Sequence, residues 1–511
     1  MGRQAIAVTL AACAAVGVLA ALDTRTIFVV LAACALLGLC VLAYRHPDRL
    51  VPISVFLVLV AGTKFRNRDP TESLANVLDG QIVLELGLYA CVGLIVGVTL
   101  LSPKLRWSPL SLPERLFVGF VVLAGCSTVW SDAPAFTAVR AVQAGLLLAL
   151  GLTAPRVLGA AATLRAVAAA ITVYVLVCAG LAVLFPWARG TTTDAQGKVR
   201  FSWFAMHSIS AATFTAFVIL YVSCVLLFGA EGWRRRWRGI PVVLVLAPLG
   251  AIMIAANSRG PLFALLGALG AVLAFRYLRP ATTLTLVAAA AFVVVVGMLA
   301  GATPESILAS GARQNSRAAD LVLRGQTVGE LGTLTGRTEL WTKLIPVYLD
   351  RPLLGYGYQA SRGVLLQVQP WAGHAHNAVL ETLLDVGLLG AVLLWAPFFA
   401  TLFARTAARG PARSDAAWLG AVVFAFATFF LLSSVSDVAF AGPPDYEMLV
   451  LFCCVAAVEH ARRENAGRAP RAAFNRTGVG PEGHPIARGR TLTGEGADGE
   501  PAAAFAAGRL R

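Results

Sequence analysis

Apolar residues in this chain come in long, nearly uninterrupted blocks separated by short polar connections. Each block holds roughly 17 to 25 residues, the length of helix that crosses about 30 Å of hydrocarbon. The pattern predicts an all-α fold, a polytopic membrane helical bundle of about 14 transmembrane helices within a range of about 12–14. The blocks are centred near residues 13, 35, 56, 92, 123, 146, 176, 217, 248, 269, 291, 391, 424 and 451.

Bulk composition agrees with this pattern. Of the 511 residues, 58% are hydrophobic and 14% are charged, and the mean hydropathy is +0.74. A soluble chain carries about a quarter charged residues, so the soluble class is excluded. The first block, residues 6–22, lacks a strongly basic leader and a small-residue cleavage site followed by a soluble domain. We therefore interpret it as a retained helix rather than a signal peptide.

The distribution of Lys and Arg orients the bundle. With the N-terminus in the cytoplasm, the connections predicted on that side carry about twice as many Lys and Arg residues as the opposite set, as the positive-inside rule requires. We predict a multi-pass protein of the cytoplasmic (inner) membrane with both termini in the cytoplasm. The basic cytoplasmic connections are residues 45–49, 104–115, 156–165, 234–238, 276–279 and 405–413.

One connection is too long to be a simple turn. Residues 302–377 lie on the outer side of this topology, and the segment from Arg337 to Tyr348 has the apolar spacing of a helix. Turn signals follow at Arg351-Pro352 and Gly355-Tyr356-Gly357. We predict a large, partly helical extracytoplasmic loop. The divisions are 1–301 for helices 1–11, 302–377 for the loop, 378–460 for helices 12–14, and 461–511 for a disordered cytoplasmic tail.

Charge and cysteine content exclude two further classes. The net charge is +15, but the basic residues are spread over many connections instead of forming one face, so no nucleic-acid partner is predicted. The nine cysteines all lie inside apolar blocks. They are expected to act as small buried hydrophobic residues, not as metal ligands or disulfides.

Two arginines on the outer side are candidates for anion binding. Arg259 lies in a very short turn, and it is either an interfacial arginine that snorkels or a clamp that grips phosphate through two parallel hydrogen bonds. Arg337 begins the helix predicted in the long loop. A helix N-terminus attracts anions, to which the arginine would add a full charge. The alternative is a surface arginine paired with Glu339.

A histidine pair marks the point where the chain re-enters the membrane. His374 and His376 lie in His374-Ala375-His376-Asn377, and histidine is suited to proton transfer near neutral pH. No cysteine or carboxylate is adjacent in sequence, so no metal is predicted. Asn377 has the alternative role of capping the next helix. Glu381 either orients a histidine or faces a polar cavity.

Four further ionisable residues lie in or near the apolar blocks. Arg140 and Arg200 are additional cations on the outer side, and Glu85 and Asp385 are carboxylates inside apolar helices. Ionisable groups at membrane depth are costly, so each suggests a function. The alternative is an ion pair in the bundle interior.

In their order along the chain, these motifs resemble the O-antigen ligase and O-antigen polymerase superfamily of membrane glycosyltransferases, which includes bacterial exopolysaccharide polymerases. The resemblance covers residues 120–430, and the segments around Trp130-Ser131 and Arg200 also look similar to the family. The motifs that carry it are Ser258-Arg259-Gly260, Gly336-Arg337-Thr338-Glu339-Leu340-Trp341, Arg351-Pro352-Leu353-Leu354-Gly355-Tyr356-Gly357, His374-Ala375-His376-Asn377 and Gly387-Leu388-Leu389-Gly390.

The resemblance implies a specific reaction. Family members transfer a glycan from an undecaprenyl diphosphate carrier onto an acceptor hydroxyl, without a cofactor or metal. By motif, Arg259 and Arg337 would bind the diphosphate and His376 would assist acceptor activation, with His374 as the second choice. The residues expected to contact the diphosphate or acceptor around them are Arg140, Arg200, Trp341, His374, Asn377 and Glu381.

Two functions stay open at this point. The first is a polymerase or ligase of lipid-linked glycans, with the polymerase favoured because it requires no particular outer membrane. Its expected partners are the lipid-linked donor, a glycan or lipid acceptor, membrane lipids, and candidate polysaccharide export or flippase proteins. The second is a transporter or flippase for a lipid-linked glycan or anionic solute. Transporters commonly show internal repeats with charges at the midplane, whereas the candidates here lie at one face.

Overall fold

The computed structural model describes residues 37–65, 79–105, 107–190, 199–228, 242–278, 282, 337–370, 372–407 and 415–477. The described residues form helices, together with one isolated β-bridge between Arg189 and Trp203. The all-α prediction is confirmed. The α-helices are α1 Pro47–Ala61, α2 Gly80–Leu100, α3 Leu112–Cys126, α4 Pro134–Leu158, α5 Ala160–Leu184, α6 Ser208–Phe228, α7 Val242–Ala256, α8 Arg259–Tyr277, α9 Arg337–Asp350, α10 Ser361–Val368, α11 Ala378–Ala407, α12 Asp415–Ser433 and α13 Tyr446–Thr477.

Several of these helices are long and apolar enough to cross a membrane, which confirms the multi-pass architecture. Within the described residues there are 7 such helices. Leu246–Ala256 and Ala417–Ser433 are shorter apolar helices. The spans predicted near residues 13 and 291 lie outside the described part of the chain, as do residues 302–336. The seven are Gly80–Leu100, Leu112–Val129, Pro134–Leu158, Ala160–Leu184, Ser208–Phe228, Arg259–Tyr277 and Ala378–Phe403.

Two predicted elements outside the membrane spans are partly described. The helix predicted to begin at Arg337 is confirmed as α9, Arg337–Asp350. Helix α13 continues to Thr477, past the predicted start of the tail at residue 461. Residues 478–511 lie outside the described part, so the rest of the tail stays a prediction.

Aromatic side chains fill the centre of the bundle. The Phe217 ring on α6 lies within 4.9–5.3 Å of the rings of Phe426, Phe429 and Phe430 on α12, measured between centroids. On α4, Gly151 packs directly against Phe452 of α13, and a Cβ at Gly151 would overlap that side chain. Small residues that allow helices to approach closely are typical of membrane bundles.

Hydrogen bonds join connections of the same predicted side to one another. On the predicted cytoplasmic side, Lys104 Nζ donates to Arg45 O at 2.6 Å. Which end faces the cytoplasm stays a prediction. On the opposite side, the backbone bonds run from Ala205 N to Lys64 O (2.8 Å), from Phe201 N to Ala255 O (2.9 Å) and from Ala378 N to Ser434 O (2.9 Å).

Helix α11 is interrupted, and a segment of the loop fills the break. Gly387 has φ 67° and ψ −170°, which splits the helix into two parts. Residues 351–357, here named the strap, cross this break and pair with its free backbone groups. Irregular backbone at membrane depth is tolerated where protein satisfies it in this way. The hydrogen bonds run from Tyr356 N to Leu384 O (2.8 Å), Gly357 N to Asp385 O (2.9 Å), Leu388 N to Pro352 O (2.9 Å) and Leu389 N to Leu353 O (3.3 Å).

A buried ion pair joins α3 and α4 at the predicted cytoplasmic end. Ser111 and Glu114 form a capping box at the start of α3. The other carboxylate oxygen of Glu114 accepts a hydrogen bond from Arg156 Nη2 at 3.0 Å, and both side chains are 0% exposed. The carboxylate thus has both a capping and a charge-pairing role.

We expect Glu114→Ala to lower the free energy of unfolding by about 3–5 kcal/mol, because it leaves the buried Arg156 guanidinium without its counter-charge. Thermal unfolding of the detergent-solubilised protein measures the loss. The double variant Glu114→Leu/Arg156→Met, which removes both charges, should recover much of it. Equal stability of Glu114→Ala and wild type would show that the pair contributes little.

Candidate functional site

The site is centred on the first residue of α9 and the connection between α12 and α13. The Arg337 Nη1 atom donates a hydrogen bond to the carbonyl oxygen of Ser436. Arg337 is half-buried, and its desolvation lowers the pKa of the guanidinium while Asp437 opposes that shift. A cation is therefore held at a helix N-terminus in a site with restricted access to water.

The histidine turn is held from both sides through the backbone of the residue between the two histidines. Ala375 N donates to the Glu381 carboxylate at 2.6 Å. Ala375 O accepts from Trp341 Nε1 of α9 at 2.8 Å. Glu381 and Trp341 thus fix the conformation of the turn, and neither residue needs to touch a substrate to do so. Asn377 caps α11 by accepting hydrogen bonds from Val379 N at 3.1 Å and Leu380 N at 3.0 Å.

The two imidazoles lie against each other and beside a carboxylate. The ring centroids of His374 and His376 are 4.0 Å apart, and His376 has a left-handed backbone with φ 52°. His374, His376 and Asp437 each offer one ligand-type atom, and these atoms all lie within 4.8 Å of one another. The premise that no carboxylate lies near the pair is therefore wrong in three dimensions. Asp437 belongs to a different connection, and nothing in the local sequence indicates the contact.

The helix that begins at Arg259 also approaches the site, at Gly260. Arg259 is the first residue of α8, and Asn257, two residues before it, has φ 49°. A Cβ on Gly260 would lie 3.0 Å from the Ser436 Oγ atom. Because Ser436 also accepts the Arg337 hydrogen bond, the two helices that begin at the predicted diphosphate-binding arginines, α8 and α9, approach one short segment.

Two additional cations, Lys64 and Arg362, lie within electrostatic range of His374. Lys64 follows α1, and Arg362 lies on α10 against Gly373, whose Cβ position would be 3.2 Å from Arg362 Nη2. Desolvation and the charges of Arg200 and Lys64 lower the pKa of His207 to about 4. Lys64, Arg362 and His207 were not predicted as site residues, since none lies in a motif of the family.

Arg140 is paired with a carboxylate inside the bundle. Its Nη1 atom binds Glu85 Oε1 at 2.8 Å and Gln143 Oε1 at 2.8 Å. The alternative of a pair inside the bundle therefore accounts for Glu85. Arg140 also acts on Lys64. Burial lowers the pKa of Lys64 most, and the positive charges of Arg362 and Arg140 lower it further.

Burial, reinforced by nearby positive charges, holds both histidines in the neutral form. Desolvation, followed by the charge of Arg337, lowers the pKa of His376 to about 3. Desolvation, followed by the charges of His376 and Arg362, lowers the pKa of His374 well below 6.5. Burial raises the pKa of Asp437, and Arg337 opposes that rise. At neutral pH the pair is therefore uncharged and able to accept a proton.

This arrangement predicts a stability loss in mild acid. The unfolded chain protonates His376 near pH 6.5, whereas the folded chain does so only near pH 3, so stability falls as the pH falls through this window. Between pH 6.5 and 5 the free energy of unfolding of the wild type should fall by about 1–2 kcal/mol more than that of His376→Gln. Melting temperatures at the two pH values measure the difference. Parallel pH dependence of the two proteins would contradict a neutral, desolvated His376.

Comparison with known proteins supports the resemblance deduced from the motifs. Residues 244–395 match a family model described as O-Antigen ligase, which confirms the resemblance over that range. The exopolysaccharide production protein ExoQ of Rhizobium meliloti (strain 1021) is 37% identical over 86 residues. That alignment covers 15% of this chain and 19% of ExoQ, so the matched stretch spans about a fifth of the relative. The range 244–395 matched by the family model includes the Arg259, Arg337 and His376 motifs.

Proposed function

We propose that this protein is a membrane glycosyltransferase that transfers or polymerises glycan repeat units from an undecaprenyl diphosphate carrier onto an acceptor hydroxyl. The reaction would take place at the outer face of the cytoplasmic membrane, with both termini in the cytoplasm. One observation carries the proposal: cations from several helices surround a neutral histidine pair at one end of a membrane bundle. The match to the O-antigen ligase family over residues 244–395 supports the same reading.

The cations match the leaving group of this reaction. As the bond to the sugar breaks, negative charge develops on the diphosphate oxygen that was joined to the anomeric carbon. Fixed cations in a poorly hydrated site stabilise that charge. Arg337 and Arg259 are the primary ligands, because guanidinium groups can hold phosphate oxygens bidentately. Lys64, Arg200 and Arg362 supply further positive charge around the same space.

The histidine and Asp437 match the other half of the reaction. The acceptor hydroxyl gives its proton to the ring of His376, and its oxygen forms a bond to the anomeric carbon of the donor sugar. The bond from that carbon to the diphosphate oxygen breaks, and its electron pair leaves with the lipid diphosphate. Asp437 stabilises the imidazolium that forms, as a carboxylate beside a catalytic histidine does elsewhere.

Donor binding should itself activate the base. The free site holds the pKa of His376 near 3, which makes the imidazole a weak base. A bound diphosphate opposes the positive field of Arg337, so the pKa of His376 rises toward its ordinary value. The acceptor is then activated only when a donor is present.

We also propose that the reaction needs no metal ion. His374, His376 and Asp437 have the composition of a metal site, but Arg337, Arg362 and Lys64 oppose the binding of a divalent cation. These side chains already supply the positive charge that a metal would provide to a diphosphate. Activity should therefore survive incubation with a chelator.

The polymerase is favoured over the ligase. The relative from Rhizobium meliloti is described as an exopolysaccharide production protein, which agrees with a product that is a polymer. The acceptor would then be a hydroxyl on a second lipid-linked glycan. Polysaccharide export proteins or flippases are the expected partners.

Reconstitution with a lipid diphosphate-linked repeat unit tests the proposal. The purified protein in proteoliposomes, with chelator present, should form elongated lipid-linked glycan and release the lipid diphosphate. The competing function is a flippase, which would move the intact lipid-linked glycan between leaflets without making a glycosidic bond. Transport without elongation would overturn the proposal in favour of the flippase, and elongation only after a divalent metal is added would overturn the metal-independent mechanism.

A further inference from the structure

A row of four aromatic side chains, three of them exposed, runs from the cationic site to the C-terminal end of α5. Successive ring centroids are 4.8 Å apart for Phe65 and Phe204, 5.9 Å for Phe204 and Trp187, and 6.0 Å for Trp187 and Phe185. Phe65, Phe185 and Trp187 are 47%, 43% and 68% exposed. The function proposed above does not account for this row, here named the aromatic track.

The two ends of the track have different chemistry. Phe65 follows Lys64, whose carbonyl oxygen accepts a hydrogen bond from Ala205 N at 2.8 Å, so this end adjoins the cations. Phe185 follows the last residue of α5, a helix long and apolar enough to cross a membrane, where Val183 and Leu184 are 62% and 72% exposed. One surface therefore connects a place suited to a diphosphate with the hydrocarbon of the membrane.

The track is a rigid, built surface. Phe204 N donates to Ala188 O at 2.7 Å, and Arg189 Nε donates to Ala182 O at the end of α5 at 2.9 Å. Trp203, the residue before Phe204, is 0% exposed. Phe204 has φ 52°, an unfavourable conformation for a residue with a Cβ. Such strain persists only where surrounding structure enforces it, and it is concentrated at ligand sites.

A cavity extends the track at its cationic end. Its volume is about 320 Å³, and it is lined by Phe65, Asp79, Gly80, Gln81 and Leu84. The Asp79 carboxylate accepts a hydrogen bond from Ile82 N at 2.9 Å as the cap of α2. An apolar chain leaving a diphosphate held near Lys64 would thus find an apolar groove on one side and a cavity beside its first contact.

We infer that the aromatic track binds the isoprenoid chain of the carrier lipid while the cations hold its diphosphate. This inference rests on the proposed function. Three of the four rings are phenylalanine, which offers no polar group to a sugar hydroxyl, and neighbouring rings are tilted by 32–55° instead of forming a flat platform. An apolar chain is therefore a better match than a glycan.

The test compares three ligands that share a diphosphate: undecaprenyl diphosphate, farnesyl diphosphate and inorganic diphosphate. Binding is measured on the full chain in nanodiscs of one lipid composition. Trp187→Ala and Phe65→Ala should each weaken binding of the undecaprenyl ligand roughly tenfold, through lost apolar contact, and leave inorganic diphosphate unchanged. Tyr277→Ala, which changes an aromatic residue 73% exposed at the other end of the bundle, is the matched control.

Each outcome has a definite meaning. Unchanged affinity of both track variants for the undecaprenyl ligand, with inorganic diphosphate still bound, would overturn the inference and leave the proposed function standing. Loss of affinity for a soluble repeat-unit glycan, but not for the isoprenoid ligands, would assign the track to the glycan and also overturn it. Failure of wild type to bind any of the three diphosphates would instead refute the proposed function. Trp187→Phe should retain the dependence on chain length, which separates ring contact from misfolding.

Discussion

Replacing Arg337 with glutamine should lower kcat/KM for glycan transfer roughly 10²–10³-fold, the cost of removing one preorganised electrostatic group from a developing oxyanion. The physical reason is the position of the guanidinium, half-buried at the N-terminus of α9 and held by the carbonyl of Ser436. A neutral amide keeps much of the side chain's volume and some hydrogen bonding but removes the charge. Elongated product formed in proteoliposomes measures the effect.

Matched variants separate the charge from the packing role of Arg337. Lys343→Gln removes a cation on the same helix, where Lys343 is 43% exposed and pairs with Glu339, and it should change activity little. Arg337→Lys should recover part of the activity, since it restores the charge without the planar fork. Wild-type activity of Arg337→Gln would remove Arg337 from the site. Equal loss in the glutamine and lysine variants would indicate that its bond to Ser436 matters more than its charge.

The sequence predicts those features of the fold whose signals lie in neighbouring residues. Hydrophobic block length predicts the spans, and apolar spacing with a polar start predicts α9 at Arg337. The break in α11 is not predicted, because residues 378–407 read as one apolar helix. Its cause is a distant segment: the strap occupies the space where a side chain on Gly387 would overlap the backbone of Leu353.

The site also contains residues that their own sequence context indicates and residues that only tertiary packing brings together. Arg259, Arg337 and His376 were candidates because each is unusual where it stands, an outer-side arginine or a histidine at a membrane boundary. Asp437 and Lys64 are ordinary residues in ordinary connections, and only the packing of α1, α12 and α13 brings them to the histidines. Trp341 and Glu381 were predicted near the substrate, whereas the structure gives both a contact with the Ala375 backbone.

The glycine motifs gain a physical explanation from the same contacts. Gly355 and Gly357 have φ 65° and 105°, and a Cβ on Gly357 would overlap the side chain of Ser131. Trp130 Nε1 donates to Leu354 O at 3.3 Å. The Trp130-Ser131 segment, the strap and the broken helix α11 therefore pack as one unit. Motifs that are separate along the chain therefore all contribute to fixing α11, the helix that begins beside the histidine pair.

Replacing His376 with glutamine should lower kcat about 10²–10⁴-fold at saturating donor, the usual contribution of a general base. Activity needs the neutral ring, so the wild-type rate should fall as the pH drops through the pKa of His376. That pKa is near 3 in the free site and higher when a diphosphate opposes the charge of Arg337. The acid limb of kcat, measured from initial rates of elongation between pH 4 and 8, should therefore lie above pH 3 and vanish in His376→Gln.

Two companion variants decide whether His376 is the base. His374→Gln should keep the acid limb, because His374 supports the turn while His376 takes the proton. Arg337→Gln should move the limb of its residual activity to higher pH, since removal of the nearby positive charge raises the pKa of His376. A limb that survives in His376→Gln but vanishes in His374→Gln would transfer the role to His374.

Asp437→Asn should lower kcat while leaving donor affinity nearly unchanged, because its carboxylate stabilises an imidazolium that exists only after the acceptor has given up its proton.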